Sequence, residues 1–292
     1  IGNAKSTTLE QCINYRKLYI PESCDADNFY CAGLVAYAQK ACTYEKCINI
    51  GSISSMNGKL LCGFENGSGN VDSTFTDCLN CGSLSGGPNS FGFAKGGNYT
   101  NCVDVGDAGT PFTEEIEIAS FSNCYYSEYD FPYGNTSGLT EKSKFEIIEF
   151  TTNELPNWKI NKAPYIYPLP FDVSNCENYP ELFCYDLKIS DVDTLKTNLE
   201  TPEDRGSIIF VDIEGLIDTQ IIINKPVVLL ADKTKPLILS TTASLFVPCQ
   251  DIKLCGFNFN GNNNSCSVID NSDSVEGNYY SIELSNCMFT KF

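Results

Sequence analysis

The hydrophobic and polar positions of this chain follow a short pattern that recurs along its first half. Residues 43–54 read T-Y-E-K-C-I-N-I-G-S-I-S, residues 74–85 read T-F-T-D-C-L-N-C-G-S-L-S, and residues 98–106 read N-Y-T-N-C-V-D-V-G. Fainter copies surround Cys12 and Cys124. Apolar and polar residues alternate around a fixed cysteine, and glycine or asparagine follows, which predicts short strands joined by turns.

A second element lies between these copies. Residues 32–38, 61–66 and 90–97 combine small or apolar residues with glycine and asparagine. A unit made of one such strand, a turn and one cysteine-marked strand is too short to bury its own apolar face. Stacking successive units buries that face, so the repeat predicts a β-solenoid.

The second half of the chain has a different pattern. Residues 171–186 read as a linker, and residues 191–199 carry apolar side chains at i, i+3 and i+7, which predicts a short amphipathic helix. Apolar, β-rich runs follow at 207–211, 219–223, 227–230, 237–239, 252–259 and 280–289. These runs predict further short strands.

Both halves resemble known families. The phrase C-[IL]-N-x-G-x-[IL]-S, paired with the glycine-led strand that starts at Gly33, resembles the GLUG-type repeat of microbial and protist surface proteins over residues 9–130. The segment 158–170, rich in proline and tyrosine, is similar to the tail that closes such arrays. The phrases I-I-I-N-K-P-V-V-L-L at 221–230 and I-K-L-C-G-F-N-F at 252–259 resemble the entry of a pectin-lyase-like parallel β-helix, as in polymorphic surface proteins.

These resemblances imply a fold class and a domain order. In the pectin-lyase-like class a capping helix precedes the first coil, and the run N-G-N-N-N at 260–264 fits a tight turn between coils. We therefore expect an all-β chain, a right-handed parallel β-helix or β-solenoid, with one short capping helix near 191–200. The expected domains are a GLUG-like, cysteine-rich β-solenoid over 1–170, a linker over 171–186, and the N-terminal part of a parallel β-helix over 187–292.

Composition excludes several classes of chemistry. The 292 residues carry a formal charge of −18, and Arg16 and Arg205 are the only arginines, so we expect no nucleic-acid partner. The absence of histidine excludes Ser-His-Asp and Cys-His catalysis and histidine-ligated zinc. No apolar run reaches the ~18 residues of a membrane-spanning helix, so we expect no direct membrane insertion of this segment.

The 16 cysteines indicate disulfides in an oxidising compartment, because the only C-x-x-C pair, Cys78 with Cys81, has no second pair at zinc-site spacing. The disulfide candidates are Cys12, Cys24, Cys31, Cys42, Cys47, Cys62, Cys78, Cys81, Cys102, Cys124, Cys176, Cys184, Cys249, Cys255, Cys266 and Cys287. Equivalent positions on adjacent coils lie about 4.8 Å apart, inside the ~4.4–6.8 Å Cα window of a disulfide. We expect a partly cross-linked internal stack of Cys47, Cys78, Cys102 and Cys124, and turn-stapling pairs of Cys176 with Cys184 and Cys266 with Cys287.

Four N-x-[ST] sequons indicate the same secreted route, as N-glycosylation candidates: Asn66, Asn98, Asn135 and Asn263. The chain opens at Ile1, which suggests processing or a segment of something longer. A solenoid that ended at 285–292 would expose an unpaired coil face, so we also expect further chain or a partner to cover that end.

Acidic and aromatic clusters are the remaining candidates for chemistry. The acids are Glu114, Glu115, Glu117, Asp191, Asp193, Asp212 and Glu214; the aromatic residues are Tyr125, Tyr126, Tyr129, Trp158, Tyr165 and Tyr167. Paired carboxylates run glycoside hydrolysis, but no cluster combines acids with an arginine and an aromatic groove. We expect the acids on solvated strand faces, with calcium binding as an open alternative, and the rings mainly in the core rather than stacked on sugars.

These observations favour a non-enzymatic function. We expect a secreted, cell-surface structural or adhesive module of a large glycoprotein or filament, a rigid disulfide-stapled display rod without a cofactor. Its partners would be other extracellular proteins, copies of itself, N-linked glycans and host or matrix glycans. The alternatives are a polysaccharide lyase or glycoside hydrolase on a β-helix, and a lectin-like adhesin.

Overall fold

The protein is all-β, and its strands pair in parallel in register stacks. A computed structural model describes residues 1–21, 31–55, 60–67, 72–85, 90–108, 110–113, 117–127, 136–159, 167–172, 185, 187–203, 206–240, 244–264, 266–270 and 280–292. The described residues form two compact units, 1–159 with 167–172 and 185–292. The predicted linker at 171–186 falls almost entirely outside the described residues, so the predicted domain boundary stays a prediction.

The described residues of the first unit form five parallel sheets of short strands, and each coil contributes at most one strand to a given sheet. The two sheets that contain the glycine-led element consist of Cys31–Ala32, Leu61–Cys62 and Ser90–Phe91, and of Ala4–Lys5, Val35–Lys40 and Glu65–Gly67. The sheet before the cysteines consists of Thr8–Glu10, Thr43–Glu45, Thr74–Thr76, Asn98–Thr100 and Ser120–Ser122. The sheet at the cysteines consists of Ile13–Asn14, Ile48–Asn49, Leu79–Asn80, Val103–Asp104, Cys124–Tyr126 and Leu139–Glu141, and the last sheet of Leu18–Ile20, Ile53–Ser55 and Leu84–Ser85.

A left-handed residue forms the corner between the two longest sheets. The residue before each repeat cysteine has φ between 51° and 55°: Gln11, Lys46, Asp77, Asn101 and Asn123. These polar residues tolerate the left-handed region better than β-branched ones, and asparagine and aspartate tolerate it best. The corner turns the following cysteine into the interior, where Cys47, Cys78 and Cys102 have no exposed surface.

Two columns of aromatic rings fill the interior of the first unit. In one column Tyr44, Phe75, Tyr99 and Phe121 stack at centroid separations of 4.7, 4.9 and 5.1 Å, and in the other Phe64, Phe93 and Phe112 stack at 4.5 and 4.7 Å. The two columns meet edge to face, the geometry that aromatic quadrupoles favour. The alternation in T-[YF]-[ET] is therefore explained by a ring that points inward between two outward-facing side chains.

The second unit repeats the parallel stack with other sequences. Its sheets consist of Leu187–Ile189, Ser207–Val211, Val227–Ala231, Ile252–Cys255 and Ile282–Ser285; of Gly215–Ile217, Pro236–Leu239, Asn258–Asn260 and Met288–Thr290; and of Ile221–Ile223 and Phe246–Pro248. The apolar run 252–259 is divided by a corner at Gly256 (φ 74°), and the run 280–289 by one at Asn286 (φ 55°). Each of these runs therefore contributes two strands rather than one.

The predicted helix is present and closes one end of the second unit. Helix α1 of the chain is a short segment, Lys144–Ile148, in the first unit, and α2 spans Val192–Glu200. Leu195 and Leu199 of α2 are buried against the apolar core of the coils. Neither of these helices is long and apolar enough to cross a membrane, within the part of the chain that the structure describes.

Both ends of α2 are capped by side chains. The Asp191 carboxylate accepts from the backbone N–H of Thr194, and this hydrogen bond lowers the pKa of Asp191. At the other end, Asn224 donates from its backbone to Leu199 O and from its side chain to Glu200 O. The helix is therefore fastened to the coil that it covers.

Candidate functional site

A column of amide side chains crosses the coils of the first unit. Asn14 Nδ2 donates to Asn49 Oδ1 at 2.7 Å, Asn49 Nδ2 to Asn80 Oδ1 at 2.7 Å, and Asn80 Nδ2 to Asp104 Oδ1 at 2.8 Å. Asn49, Asn80 and Asp104 have no exposed surface. The column therefore satisfies buried polar groups by hydrogen bonds between coils.

Glycines flank this amide column on both sides, because any larger residue would collide with it. A Cβ on Gly33 or Gly63 would overlap an amide oxygen of the column as well as a backbone carbonyl, and a Cβ on Gly92 would overlap the Asp104 carboxylate. A Cβ on Gly51, Gly82 or Gly106 would press on a column nitrogen and on a backbone carbonyl of the preceding coil. The recurring C-[IL]-N-x-G phrase and the glycine of the preceding strand thus have one physical cause.

The repeat cysteines form a second column at the left-handed corner. The Sγ atoms of Cys47, Cys78 and Cys102 donate to two carbonyls each, one two residues earlier and one in the preceding coil, at 3.3–3.6 Å. The next cysteine along the column is a further neighbour of each thiol: Cys78 for Cys47, Cys102 for Cys78, and Cys124 for Cys102. This is the internal stack that the sequence predicts.

No disulfide joins any of the 13 described cysteines. Cys24, Cys176 and Cys184 lie outside the described residues, so the pairing of Cys176 with Cys184 has no structural counterpart. Cys266 and Cys287 both pack beside the core of the second unit, each as a thiol that donates to a carbonyl. The predicted cross-links therefore stay predictions.

A buried carboxyl group lies beside the aromatic columns. Glu65 is 1% exposed, and it accepts from Tyr44 Oη at 2.7 Å and from Ser73 Oγ at 2.9 Å. Ser73 Oγ in turn accepts from the backbone N–H of Cys42. Burial raises the pKa of Glu65, and its hydrogen bonds offset part of that rise.

The acidic clusters do not converge on one cleft among the described residues. Asp191 caps α2, and the side chains of Asp193, Glu214 and Glu117 are exposed. Asp212 forms ion pairs with Lys188 and Lys235, and the hydrogen bonds from these two lysines lower its pKa. Glu114 and Glu115 lie outside the described residues. Among those that are described, no group of three acids or cysteines is arranged to hold a metal ion.

The predicted aromatic cluster lies mainly in the core. Tyr126, Trp158 and Tyr167 are 3–4% exposed, and the Tyr125 ring packs edge-on against Phe150 at 4.6 Å. Tyr125 Oη donates to the corner residue Asn123 at 2.7 Å. Tyr129 and Tyr165 lie outside the described residues. The described members of this cluster are thus packed rather than presented to a sugar.

The described sequons differ in accessibility. Asn263 is exposed, and Asn98 is half-buried and accepts from Ser120 Oγ. Asn66 is fully buried, and its Nδ2 donates to Leu60 O, so a glycan would have to be attached before this coil stacks. Asn135 lies outside the described residues.

A groove of about 420 Å³, lined by polar and charged residues, lies along α2. Its lining includes Thr194, Thr197, Asn198, Glu203 and Lys225. The Lys225 side chain is 2% exposed and donates to Glu203 Oε2 at 2.9 Å, and the buried Asn198 Oδ1 accepts no hydrogen bond from the described residues. The groove can therefore offer a carboxylate acceptor, Glu203, beside a cationic donor, Lys225.

Sequence reasoning missed the amide column, Glu65 and this groove. The column had a signal, since an Asn or Asp stands two residues after each of Cys12, Cys47, Cys78 and Cys102. No sequence pattern marks Glu65 or Lys225, because each is a single charged residue in an apolar run. No protein-family model matches the chain, and no curated protein is significantly similar to it.

Proposed function

We propose that this chain is a secreted structural or adhesive module of a large surface glycoprotein or filament, and that it acts as a stiff rod. The observation that carries this proposal is the amide column that joins Asn14, Asn49, Asn80 and Asp104 across successive coils. Hydrogen bonds between buried side chains fix the register of neighbouring coils. The asparagines that recur in the repeat are therefore explained by the stacking of coils, without a role in an open cleft.

The motifs support a finer assignment within this proposal. We infer that the first unit is a GLUG-type array, because the asparagine and glycine of C-[IL]-N-x-G both lie at the amide column. We infer that the second unit begins a pectin-lyase-like parallel β-helix, because α2 covers the first coil and a left-handed corner recurs at Gly256 and Asn286.

The arrangement of acids supports a non-enzymatic role. A glycosidase needs two carboxyl groups about 5–10 Å apart on either side of a sugar. The described candidates instead cap a helix, pair with lysines or face solvent on separate strands. An extracellular rod that displays or assembles at the surface fits these positions.

Surface labelling of the source cells tests this proposal. An antibody against the chain should label intact cells, and protease added outside should remove the signal while a cytoplasmic marker survives. Cross-linking at the cell surface should then recover copies of this chain or other surface proteins. Signal that appears only after permeabilisation would overturn the proposal.

The groove along α2 favours one alternative, a lectin-like site for glycans. Lys225 and Glu203 offer a donor and an acceptor to hydroxyl groups. A glycan array with the purified chain would detect such binding, and Lys225→Met should abolish it whereas the exposed-site control Lys17→Met should not. A parallel assay of polysaccharide cleavage, with and without calcium, would reveal an enzyme by steady turnover.

A further inference from the structure

The cysteine column brings equivalent thiols of successive coils into register. The strand pairs place Ile13 opposite Ile48, Ile48 opposite Leu79, Leu79 opposite Val103, and Val103 opposite Tyr125. The cysteine that precedes each of these residues is therefore one strand spacing, about 4.8 Å, from the next cysteine. That spacing lies inside the ~4.4–6.8 Å Cα window that disulfides span.

The rungs of this column differ in burial. Cys47, Cys78 and Cys102 have no exposed surface and Cys124 is 1% exposed, whereas Cys12 is half-buried at the first rung. Within the buried set, the strand register places each cysteine beside the next along the column. A line of four neighbours has one pairing that uses every member, first with second and third with fourth.

We propose that in an oxidising compartment the column pairs as Cys47 with Cys78 and Cys102 with Cys124, and that Cys12 keeps an accessible thiol. A bond between Cys78 and Cys102 would leave Cys47 and Cys124 as buried thiols. A bond between Cys12 and Cys47 would leave one of the remaining three unpaired in the core. The inference rests on the proposed extracellular placement, which supplies the oxidising compartment.

The chemistry is ordinary thiol–disulfide exchange with a small-molecule disulfide as oxidant. One cysteine thiolate attacks the oxidant and releases one small thiol, and the neighbouring cysteine sulfur then attacks the mixed disulfide and releases the second. Each cross-link thus removes two protons and two electrons from the protein, and the electrons reduce one molecule of oxidant to two thiols. Two molecules of oxidant complete both bonds.

The stacking of the coils determines when the disulfides can form. The neighbouring thiol Cys78 and burial raise the pKa of Cys47, and burial and the neighbouring thiols raise the pKa of Cys102, whereas the neighbours of Cys78 lower its pKa despite burial. All three thiols lack exposed surface, so a small-molecule oxidant cannot reach them in the finished stack. The bonds should therefore form while the coils assemble, and once buried they should resist exchange.

Peptide mapping of the full-length chain tests the pairing. The chain is refolded from reductant in a glutathione redox buffer, its remaining thiols are alkylated in denaturant, and it is digested without reduction by trypsin and a glutamate-specific protease. Cleavage after Lys59, Lys95 and Glu117 separates all four buried cysteines of the column. The expected products join the peptide of Cys47 to that of Cys78 and the peptide of Cys102 to that of Cys124, with Cys12 alkylated.

Two cysteine variants distinguish a wrong pairing from a failure to fold. Cys12→Ser should leave both cross-links unchanged, and Cys78→Ser should leave Cys102 joined to Cys124 while Cys47 becomes alkylated. Reduction of the wild-type protein should lower its melting temperature by roughly 5–10 °C. A dominant product that joins Cys78 to Cys102 or Cys12 to Cys47, or a column fully alkylated after oxidative refolding, would overturn the inference.

The same mapping on protein from its native source separates this inference from the proposed function. If refolded protein shows both cross-links and native protein shows only thiols, the pairing stands and the extracellular placement fails. If native protein carries disulfides but not these two, the placement stands and the pairing fails.

Discussion

Asp104 ends the amide column of the first unit by accepting a hydrogen bond of 2.8 Å from the side chain of Asn80. Aspartate has no amide N–H group, so Asp104 terminates a series in which each amide donates to the next. The backbone N–H groups of Gly106 and Phe112 also donate to Asp104, at 3.2 and 3.0 Å. In the next coil, Tyr126 occupies this register position.

Replacement of Asn80 by alanine should destabilise the first unit strongly. The change would leave Asn49 Nδ2 and the backbone N–H of Gly82 in the interior without their acceptor, Asn80 Oδ1, and each such group costs roughly 1–3 kcal/mol. We expect the free energy of unfolding to fall by about 2–5 kcal/mol. Urea denaturation followed by circular dichroism measures it.

The control for this variant lies at the start of the same column. Asn14→Ala removes a half-buried donor and leaves one acceptor, Asn49 Oδ1, so its loss should stay near ~1 kcal/mol. Equal losses from the two variants would show that burial within the column makes no difference.

Glycine at position 92 should be irreplaceable because of the same column. A Cβ there would overlap the Asp104 carboxylate, whose position is fixed by three N–H donors. We expect Gly92→Ala to cost more than about 3 kcal/mol, as overpacking that cannot relax does. Gly2→Ala is the control, since nothing lies within 4 Å of its Cβ position. Thermal melts that superimpose for the two variants would contradict the role assigned to Gly92.

The regular parts of the fold can be predicted from the sequence, because each coil repeats the same short pattern of residues. A polar residue before each cysteine predicts the corner that Asp77 and Asn101 form, and the alternation of T-[YF]-[ET] predicts the inward rings. The helix at Val192–Glu200 follows from its i, i+3, i+7 pattern and its Asp191 cap.

Other features of the fold depend on contacts that form only when the coils stack. The local sequence pattern does not predict these features. Glu65 is tolerated in the interior because Tyr44 and Ser73, from other segments of the chain, supply its hydrogen bonds. Helix Lys144–Ile148 starts at a capping box formed by Ser143 and Glu146, too short a signal to stand out beside the repeat. The division of 252–259 at Gly256 likewise requires the position of the adjacent coil.

In the second unit, Asp212 should contribute stability through its two lysines. Hydrogen bonds from Lys188 and Lys235 lower its pKa below 3.8, so its contribution is present above that pH and is lost as the pH falls through the lower folded value. Because both lysines are more than a third exposed, we expect Asp212→Asn to cost only about 0.5–1.5 kcal/mol at pH 7, and less at high salt. The exposed Asp218→Asn serves as control, and equal unfolding curves for the two would refute the ion-pair role.

The buried Glu65 should have the opposite pH dependence. Burial raises its pKa above 4.5, so its favourable contribution is complete below the unfolded value and is lost as the pH rises through the folded value. Glu65→Gln should therefore gain stability relative to wild type as the pH rises from 4.5, by about 1.4 kcal/mol for each unit by which the folded pKa is raised. Urea unfolding of both proteins at a series of pH values gives this difference directly.

A second variant tests the cause of that dependence. Tyr44 Oη donates to Glu65 at 2.7 Å and so stabilises the ionised form, which means that Tyr44→Phe should raise the pKa of Glu65 further. In the Tyr44→Phe background the gain from Glu65→Gln should extend to higher pH than in the wild-type background. If the two unfolding curves stay parallel from pH 4 to pH 8 in both backgrounds, Glu65 reaches solvent in the folded protein, and the tight packing assigned to this coil is incorrect.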